Sequence, residues 1–296
     1  MTLKQRIQDG PLLLDGGMGS QLIVRGVPVR RCNDSLCIES PDVVRAIHQD
    51  YIDAGSDIVI TNTFGANAVM LARHDLAECS AEINQAAVQC ARQAAGDAHF
   101  VLGDIGPCGD FLAPLGTLEP ERLREAFGIQ ARALIEGGAD GLIVETMSAL
   151  DELAIAVEAA RAAARDRPVF ASMAFDRTVD GFRTMMGVDV SGMVKCLTDL
   201  RVDALGFNCG TATLDEYELL ADLLVEAVGR QGVDVALFAE PNAGSPELVD
   251  GEPTWSVTPE RFAQTQKRIH ARGVRILGGC CGTTPDFIRA MAEAFK

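Results

Sequence analysis

Two adjacent thiols, Cys280 and Cys281, lie in a glycine-rich motif directly after the apolar stretch 274–277. Neighbouring residues of a regular strand point to opposite faces, so a strand could not aim both sulfur atoms at one point. The flanking glycines allow the bend that could do so. A third cysteine, Cys209, also follows an apolar stretch. Three thiolates from two strand ends would form an open zinc site, with a fourth position left for a substrate.

A purely structural role is the alternative for these cysteines, because cysteine often behaves as a small buried hydrophobic residue. The chain has nine cysteines, an odd number, and their scatter does not resemble a disulfide framework. Clustered cysteines are then more readily explained as metal ligands.

The composition excludes several classes of function. A net charge of −16 argues against nucleic acid or an anionic membrane as partner. The N-terminus has no apolar signal core, and no apolar stretch is long enough to span a bilayer. We therefore expect a cytoplasmic protein.

Eight continuous apolar stretches alternate with helical patterns along the chain. The stretches lie at 12–14, 58–60, 100–102, 142–144, 169–172, 204–207, 235–238 and 274–277. The predicted helices span 41–55, 81–95, 120–135, 150–164, 193–200, 215–228, 259–270 and 285–295. This alternation predicts an α/β fold, a (β/α)8 TIM barrel forming a single domain over residues 1–296, with a doubly wound sheet as the alternative.

Polar residues follow most of the predicted strands, and barrel enzymes carry their chemistry at these strand ends. Glu145 directly follows an apolar stretch. Burying a carboxylate there costs free energy unless it is paired, either by a ligand ammonium or by an internal arginine. The turn after Asp15 could hold a ligand carboxylate or be an ordinary βα turn. The turn 103–107 indicates little by itself. Three cysteines and three carboxylates converge on one predicted rim: Cys209, Cys280, Cys281, Asp15, Glu145 and Glu240.

These motifs together resemble the homocysteine S-methyltransferase family over essentially the whole chain. The most specific is Gly278-Gly279-Cys280-Cys281-Gly282-Thr283, with Asn208-Cys209 upstream. Further matches are Asp15-Gly16-Gly17-Met18-Gly19, Thr61-Asn62-Thr63-Phe64, Gly103-Asp104-Ile105-Gly106-Pro107, Glu145-Thr146 and Pro241-Asn242-Ala243-Gly244. Within the family, the chain is most similar to the homocysteine-binding module of cobalamin-dependent methionine synthase.

The resemblance implies a Zn²⁺ ion held by Cys209, Cys280 and Cys281, which would also be the catalytic residues. It implies methyl transfer to the zinc-bound thiolate of homocysteine, giving methionine. Glu145 and Asp15 would meet the substrate ammonium, and Gly16, Gly17 and Thr63 would receive its carboxylate. Asn208 and Asn242 complete the implied substrate site, and Asn242 would approach the zinc when substrate is absent.

The methyl donor is the least defined part of this hypothesis. No folate-binding or cobalamin-binding module follows the predicted barrel, so we expect a donor from outside the chain. A separate methylcorrinoid protein is favoured, docking on a rim that includes residues 245–256 with Trp255, and a small sulfonium such as S-methylmethionine is the alternative. Betaine is disfavoured because few aromatic residues are available for a cage.

Two other classes of protein remain open on the sequence. One is a barrel aldolase or other phosphate-binding enzyme, with Asn242-Ala243-Gly244 and Gly278-Gly279 as its phosphate site. The other is a non-catalytic zinc protein, which would need a closed four-ligand site. The four histidines, His48, His74, His99 and His270, all fall away from the predicted strand ends.

Overall fold

Eight parallel strands form a nearly closed barrel in the computed structural model, which describes residues 1–244, 247–249 and 252–295. The predicted (β/α)8 barrel is therefore confirmed. From the second strand to the eighth, each strand pairs with the next in chain order, and the eighth pairs with the first, so the sheet is open only between the first and second strands. The strands, numbered β1 to β8, are Leu12–Leu13, Ile58–Ile60, Phe100–Ile105, Gly141–Met147, Val169–Met173, Ala204–Asn208, Ala236–Glu240 and Ile276–Leu277.

A long helix follows each barrel strand. Several of these helices begin with proline at their first turn and end at a left-handed glycine, such as Gly55 and Gly138 with φ of 115° and 103°. Helices α1 to α8 are Pro41–Ala54, Ser80–Ala95, Pro120–Gly137, Leu150–Ala164, Val190–Asp199, Leu214–Gln231, Pro259–Ala271 and Pro285–Phe295. All eight were predicted, with bounds that differ by at most three residues.

The structure also contains short hairpins and helices outside the barrel, which were not predicted. Two antiparallel hairpins follow β5 and β7, and they pair Asp176–Thr178 with Gly181–Arg183 and Glu247–Val249 with Glu252–Thr254. Short helices span Leu3–Arg6, Met18–Val24, Leu36–Glu39 and Ala68–Leu71, with 3₁₀ turns at Ala72–His74 and Ala77–Cys79. No helix among the described residues is long and apolar enough to cross a membrane.

An aspartate placed just before a strand ties that strand to its neighbour at three positions. The carboxylates of Asp57, Asp140 and Asp203 each accept a backbone N–H of the preceding barrel strand, at 2.8, 2.8 and 2.9 Å. Asp57 does this across the gap between β2 and β1, where its own N–H also donates to the Leu13 carbonyl at 2.8 Å. These three aspartates thus link neighbouring strands, and Asp57 does so where the barrel sheet is otherwise open.

Alternation along the strands decides what fills the barrel. One set of inward residues forms a fully apolar layer, packed below by Leu3 and Ile7 near the N-terminus: Leu12, Leu14, Ile58, Leu102, Ile143, Phe170, Ala204, Ala236, Phe238 and Ile276. Residues two positions further along a strand face the same way. The next inward layer therefore contains Asp104, Glu145, Asn208 and Glu240.

Two strands end three residues later than predicted. Strand β3 continues to Ile105, so Asp104 lies inside a strand rather than in a turn. Strand β4 continues to Met147 and includes Glu145. Apolar content alone ends each strand too early, because it stops at the first carboxylate that the barrel interior accommodates.

Candidate metal centre and substrate pocket

The adjacent cysteines lie in a tight turn that begins two residues after β8. The Thr283 N–H and hydroxyl both donate to the Cys280 carbonyl, at 3.2 and 2.7 Å. The turn is tied to the end of β7, because the Cys280 N–H donates to the Pro241 carbonyl at 2.9 Å. Because the chain leaves regular strand geometry at Gly278, the two adjacent thiols do not have to point to opposite faces.

Cys209 leaves β6 through a strained backbone. Its φ of 53° is left-handed, and Gly210 follows at 83°. A Cβ on Gly210 would lie 2.2 Å from the Phe175 carbonyl oxygen, so only glycine fits there. Non-glycine residues in this region persist only when surrounding contacts enforce them, and such strain is common at functional sites.

The three sulfur atoms converge. Those of Cys209, Cys280 and Cys281 all lie within 4.8 Å of one another. Tetrahedral zinc with Zn–S bonds of about 2.3 Å separates its sulfurs by roughly 3.8 Å, so small side-chain rotations would suffice to bind it. Among the described residues, no other histidine, cysteine, aspartate or glutamate completes a fourth protein position.

The electrostatics of the cluster fit a bound cation. Hydrogen bonds from Cys280 and Cys281 lower the pKa of the Cys209 thiol to about 3. The same contacts raise the pKa of Cys280 well above its ordinary value, because two further thiolates beside the first repel one another. Without a cation, the cluster therefore holds a single negative charge comfortably.

Two asparagines connect the cysteines to the rest of the rim. The Asn242 amide donates to the Gly210 carbonyl at 2.7 Å and lies 3.7 Å from the Cys209 sulfur, while its oxygen accepts the Cys281 N–H at 3.0 Å. Asn208 is fully buried and donates to Glu145 at 2.7 Å, with the Cys280 sulfur 3.9 Å away. The Asn208 amide thus hydrogen-bonds to Glu145 and lies close to the Cys280 thiol.

Two buried tyrosines hold the backbones of the cysteine turns, a role that the sequence did not suggest. The Tyr217 hydroxyl donates to the Cys209 carbonyl at 2.7 Å and accepts the Asn242 N–H at 3.4 Å. The Tyr51 hydroxyl donates to the Thr283 carbonyl at 2.9 Å. Each tyrosine lies on a helix outside the barrel, so no local motif predicts its contact with a cysteine turn.

A cavity of about 380 Å³ opens beside the thiols and is rich in carboxyl groups. Asp15, Asp104, Glu145 and Glu240 all line it, and burial raises the pKa of each, to about 7 for Glu145. The basic side chains among its described lining residues are Arg31 and His74. Both are exposed, and Arg31 pairs with Glu39, so the deep part of the cavity favours a cationic group.

The other predicted substrate residues also line this cavity, but some of their donors are already used. The Gly17 N–H donates to the Thr283 carbonyl and hydroxyl, at 3.1 and 3.2 Å. The Thr63 hydroxyl donates to the Asp104 carbonyl at 2.8 Å. Gly16 packs closely on Thr283, where a Cβ would lie 2.7 Å from the hydroxyl oxygen. This wall is preorganised by its own hydrogen bonds.

Four of the five backbone N–H groups of the alternative phosphate site have hydrogen-bond partners, and the Asn242 N–H donates to the Tyr217 hydroxyl. The N–H groups of Ala243, Gly278 and Gly279 donate to the carbonyls of Cys281, Ala239 and Asp15, each at 3.0 Å. An anion at this position would have to displace these contacts. The geometry therefore offers no support for the aldolase hypothesis.

Three features of the site differ from the sequence interpretation or lie partly outside the structure. Asp104 was missed, although an acid after an apolar stretch is the same signal that identified Glu145. His74 was set aside, yet it lines the cavity mouth. The indole of Trp255 packs on Gly282, where a Cβ would meet it at 2.3 Å. Residues 245, 246, 250 and 251 of the predicted docking segment lie outside the described residues.

A family model described as homocysteine S-methyltransferase matches residues 12–295. The chain belongs to the homocysteine S-methyltransferase family, which confirms the resemblance drawn from its motifs and the prediction that it is an enzyme of this kind.

Known relatives and a solved structure agree with this assignment. The chain is 34% identical to methionine synthases of Mycobacterium leprae (strain TN) and Mycobacterium tuberculosis (strain ATCC 25618 / H37Rv), with 99% of the chain aligned. It spans about a quarter of the length of these relatives, 24% and 25%. The metallated homocysteine methyltransferase MmuM from Escherichia coli superposes with a TM-score of 0.79 at 25% identity, covering 98% of each chain.

Proposed function

We propose that this protein is a zinc-dependent enzyme that transfers a methyl group to the thiol of homocysteine and forms methionine. The observation that carries the proposal is the position of three convergent cysteine sulfurs at the edge of a cavity lined by five carboxyl groups, those of Asp15, Asp34, Asp104, Glu145 and Glu240. The thiols suit a metal, and the carboxyls suit an ammonium group.

The residues present fit a zinc ion. Cys209, Cys280 and Cys281 would hold it, and when bound it would keep the substrate sulfur deprotonated and nucleophilic at neutral pH. The Asn242 amide, 3.7 Å from the Cys209 sulfur, orients that thiolate. Tyr217 and Tyr51 fix the two backbone turns, so the protein contributes a rigid frame.

The cavity would position the amino-acid end of homocysteine. We assign its ammonium to Glu145 and Asp15, which lie deep in the barrel with no basic side chain beside them among the described lining residues. We assign its carboxylate to the part of the cavity formed by Gly16, Gly17 and Thr63, as the family resemblance implies. Fixing both ends holds the sulfur near the cysteine cluster, which reduces the entropic cost of the reaction.

For the donor, we favour a methylcorrinoid carried on a separate protein. Large apolar side chains are exposed on loops that follow β2, β3 and β5, the same end of the barrel as the cavity: Phe64, Phe111, Leu115, Val179 and Met185. Exposed apolar groups around a site are typical of surfaces that contact a large partner. The resemblance of the motifs to cobalamin-dependent methionine synthase also supports such a donor.

A small sulfonium donor is a second candidate, favoured by a separate observation. Another cavity, of about 360 Å³, adjoins the first at Thr146 and reaches Gly210, next to Cys209. Acidic and thioether side chains line it, including Asp151, Asp176 and Met185. Such a lining suits a compact cation better than it suits a corrinoid ring.

A donor assay with zinc-loaded protein tests the proposed function. Homocysteine is supplied with a methylcorrinoid protein, free methylcobalamin, S-methylmethionine or S-adenosylmethionine, and methionine is quantified by mass spectrometry. We expect methionine with the corrinoid protein and none after zinc removal. Turnover with a sulfonium alone would favour the second donor, and no methionine with any donor would contradict the proposed reaction.

A further inference from the structure

Asp104 is a buried carboxyl with an unused acceptor atom. It is only 3% exposed, on the inward face of β3 directly above Leu102, and it lines the cavity beside the thiols. Its Oδ1 atom has no hydrogen-bond partner among the described residues. Leaving such an atom unpaired in the interior is costly, so its retention requires an explanation.

Other buried acids near the site have structural partners. Asp34 accepts the Gly65 N–H at 2.9 Å, and Glu152 accepts the Cys108 N–H at 2.7 Å. Asp104 instead forms a carboxyl–carboxyl hydrogen bond with Glu145, which requires one of the two acids to hold a proton. Glu240 lines the same cavity, and its Oε2 atom likewise has no hydrogen-bond partner in the described part of the chain. These two acids therefore face the cavity without a backbone role for those atoms.

The spacing of these acids favours an ammonium group over a second metal ion. Among the described residues, the cysteine cluster is the group of three or more metal-binding side chains whose ligand atoms converge within 4.8 Å. The carboxyl oxygens are more widely spread. An ammonium group has three hydrogen-bond donors and can reach acceptors in different directions.

We propose that Asp104 contacts the substrate ammonium together with Glu145 and thereby selects thiols that carry an amino group. This inference rests on the proposed function and adds to it a specificity-determining residue. Binding gives the unpaired Oδ1 atom a charged donor and replaces the contact between two carboxyls by one with a cation between them. A thiol without an amino group leaves the Oδ1 atom unpaired, so the free-energy cost of burying that atom remains.

Calorimetric binding to zinc-loaded protein tests this without a methyl donor. Homocysteine is compared with 4-mercaptobutanoate, the same thiol acid without its amino group, for the wild type, Asp104→Ala and the nearly isosteric Asp104→Asn. Glu152→Gln is the matched control, since it alters a buried acid whose carboxylate is bound to backbone. Zinc content and circular dichroism establish that each variant is folded.

We expect wild type to prefer homocysteine, and Asp104→Ala to weaken homocysteine binding roughly 10- to 100-fold, as expected for one lost partner of a buried charge contact. Binding of 4-mercaptobutanoate should change less than about two-fold, and Glu152→Gln should keep the wild-type preference. If both folded Asp104 variants keep the preference, or lose both ligands equally, the role of Asp104 is wrong. If wild type binds neither thiol, the proposed function itself fails.

Discussion

Replacing Tyr217 by phenylalanine isolates one hydrogen bond that supports the metal centre. The ring is fully buried and stacks on Phe207 at a centroid distance of 5.9 Å, and phenylalanine keeps that packing. What disappears is the hydroxyl that donates to the Cys209 carbonyl at 2.7 Å and accepts from Asn242. Cys209 then has to hold its left-handed φ of 53° with less support.

The magnitude follows from the two groups left unpaired. An unsatisfied buried carbonyl costs about 1–3 kcal/mol, and the long 3.4 Å contact to Asn242 adds little, so we take about 2 kcal/mol in total. If this cost falls on the preorganisation of Cys209, zinc affinity drops by up to about 30-fold. If it falls on the whole fold, the melting temperature drops by roughly 3 °C.

The assay separates these outcomes by competing zinc between the protein and a chelating indicator, alongside thermal unfolding of the zinc-free form. Phe127→Leu, a change in the buried face of α3, serves as the control because it should cost stability without affecting zinc. We expect Tyr217→Phe to lose zinc affinity and the control to keep it. Equal zinc affinity in Tyr217→Phe and wild type would refute the argument that the tyrosine supports the metal centre.

Three further predictions concern the cavity and the cysteine turn. Glu145→Gln should weaken homocysteine binding by roughly two to three decades with zinc content unchanged, measured by calorimetry and metal analysis; unchanged affinity would leave Glu145 a structural residue. Burial raises the pKa of Glu145 from 4.5 to about 7, so stability from its protonated form is present below pH 4.5 and lost as pH rises through 7. Burial also raises the pKa of Glu240, so the melting temperature of zinc-free Glu240→Gln relative to wild type should rise from pH 5 to pH 8; a difference that stays constant with pH would contradict it. Gly282→Ala should lower both thermal stability and zinc affinity, because φ is 79° and the new Cβ would meet the Trp255 indole at 2.3 Å; a variant with wild-type values would show that the turn adapts.

The barrel could be predicted because its signals are local. Continuous apolar stretches, proline at helix starts and glycine at helix ends each act within a few residues, and the helices α4 and α8 have the predicted bounds. The convergence of the cysteines followed from a general rule, since the carboxyl ends of barrel strands share one rim. Both inferences needed topology but no side-chain geometry.

The remaining parts of the site depend on contacts between distant residues. Tyr217 and Tyr51 act on turns that they reach from helices, and Tyr51 lies 232 positions from its partner Thr283. Asp104 was placed in a turn, because strand ends were inferred from apolar content and a carboxylate broke the pattern. Alternation of inward positions explains it afterwards, but only once the register of β3 against β4 is known.

The zinc content of purified protein tests the central claim most directly. Wild type and the Cys280→Ala, Cys281→Ala double variant are prepared in parallel and analysed by inductively coupled plasma mass spectrometry, with circular dichroism to establish that the barrel is retained. The account predicts about one zinc per chain in wild type and essentially none in the folded double variant. Full retention of zinc by the double variant would contradict the assignment of the three cysteines as its ligands.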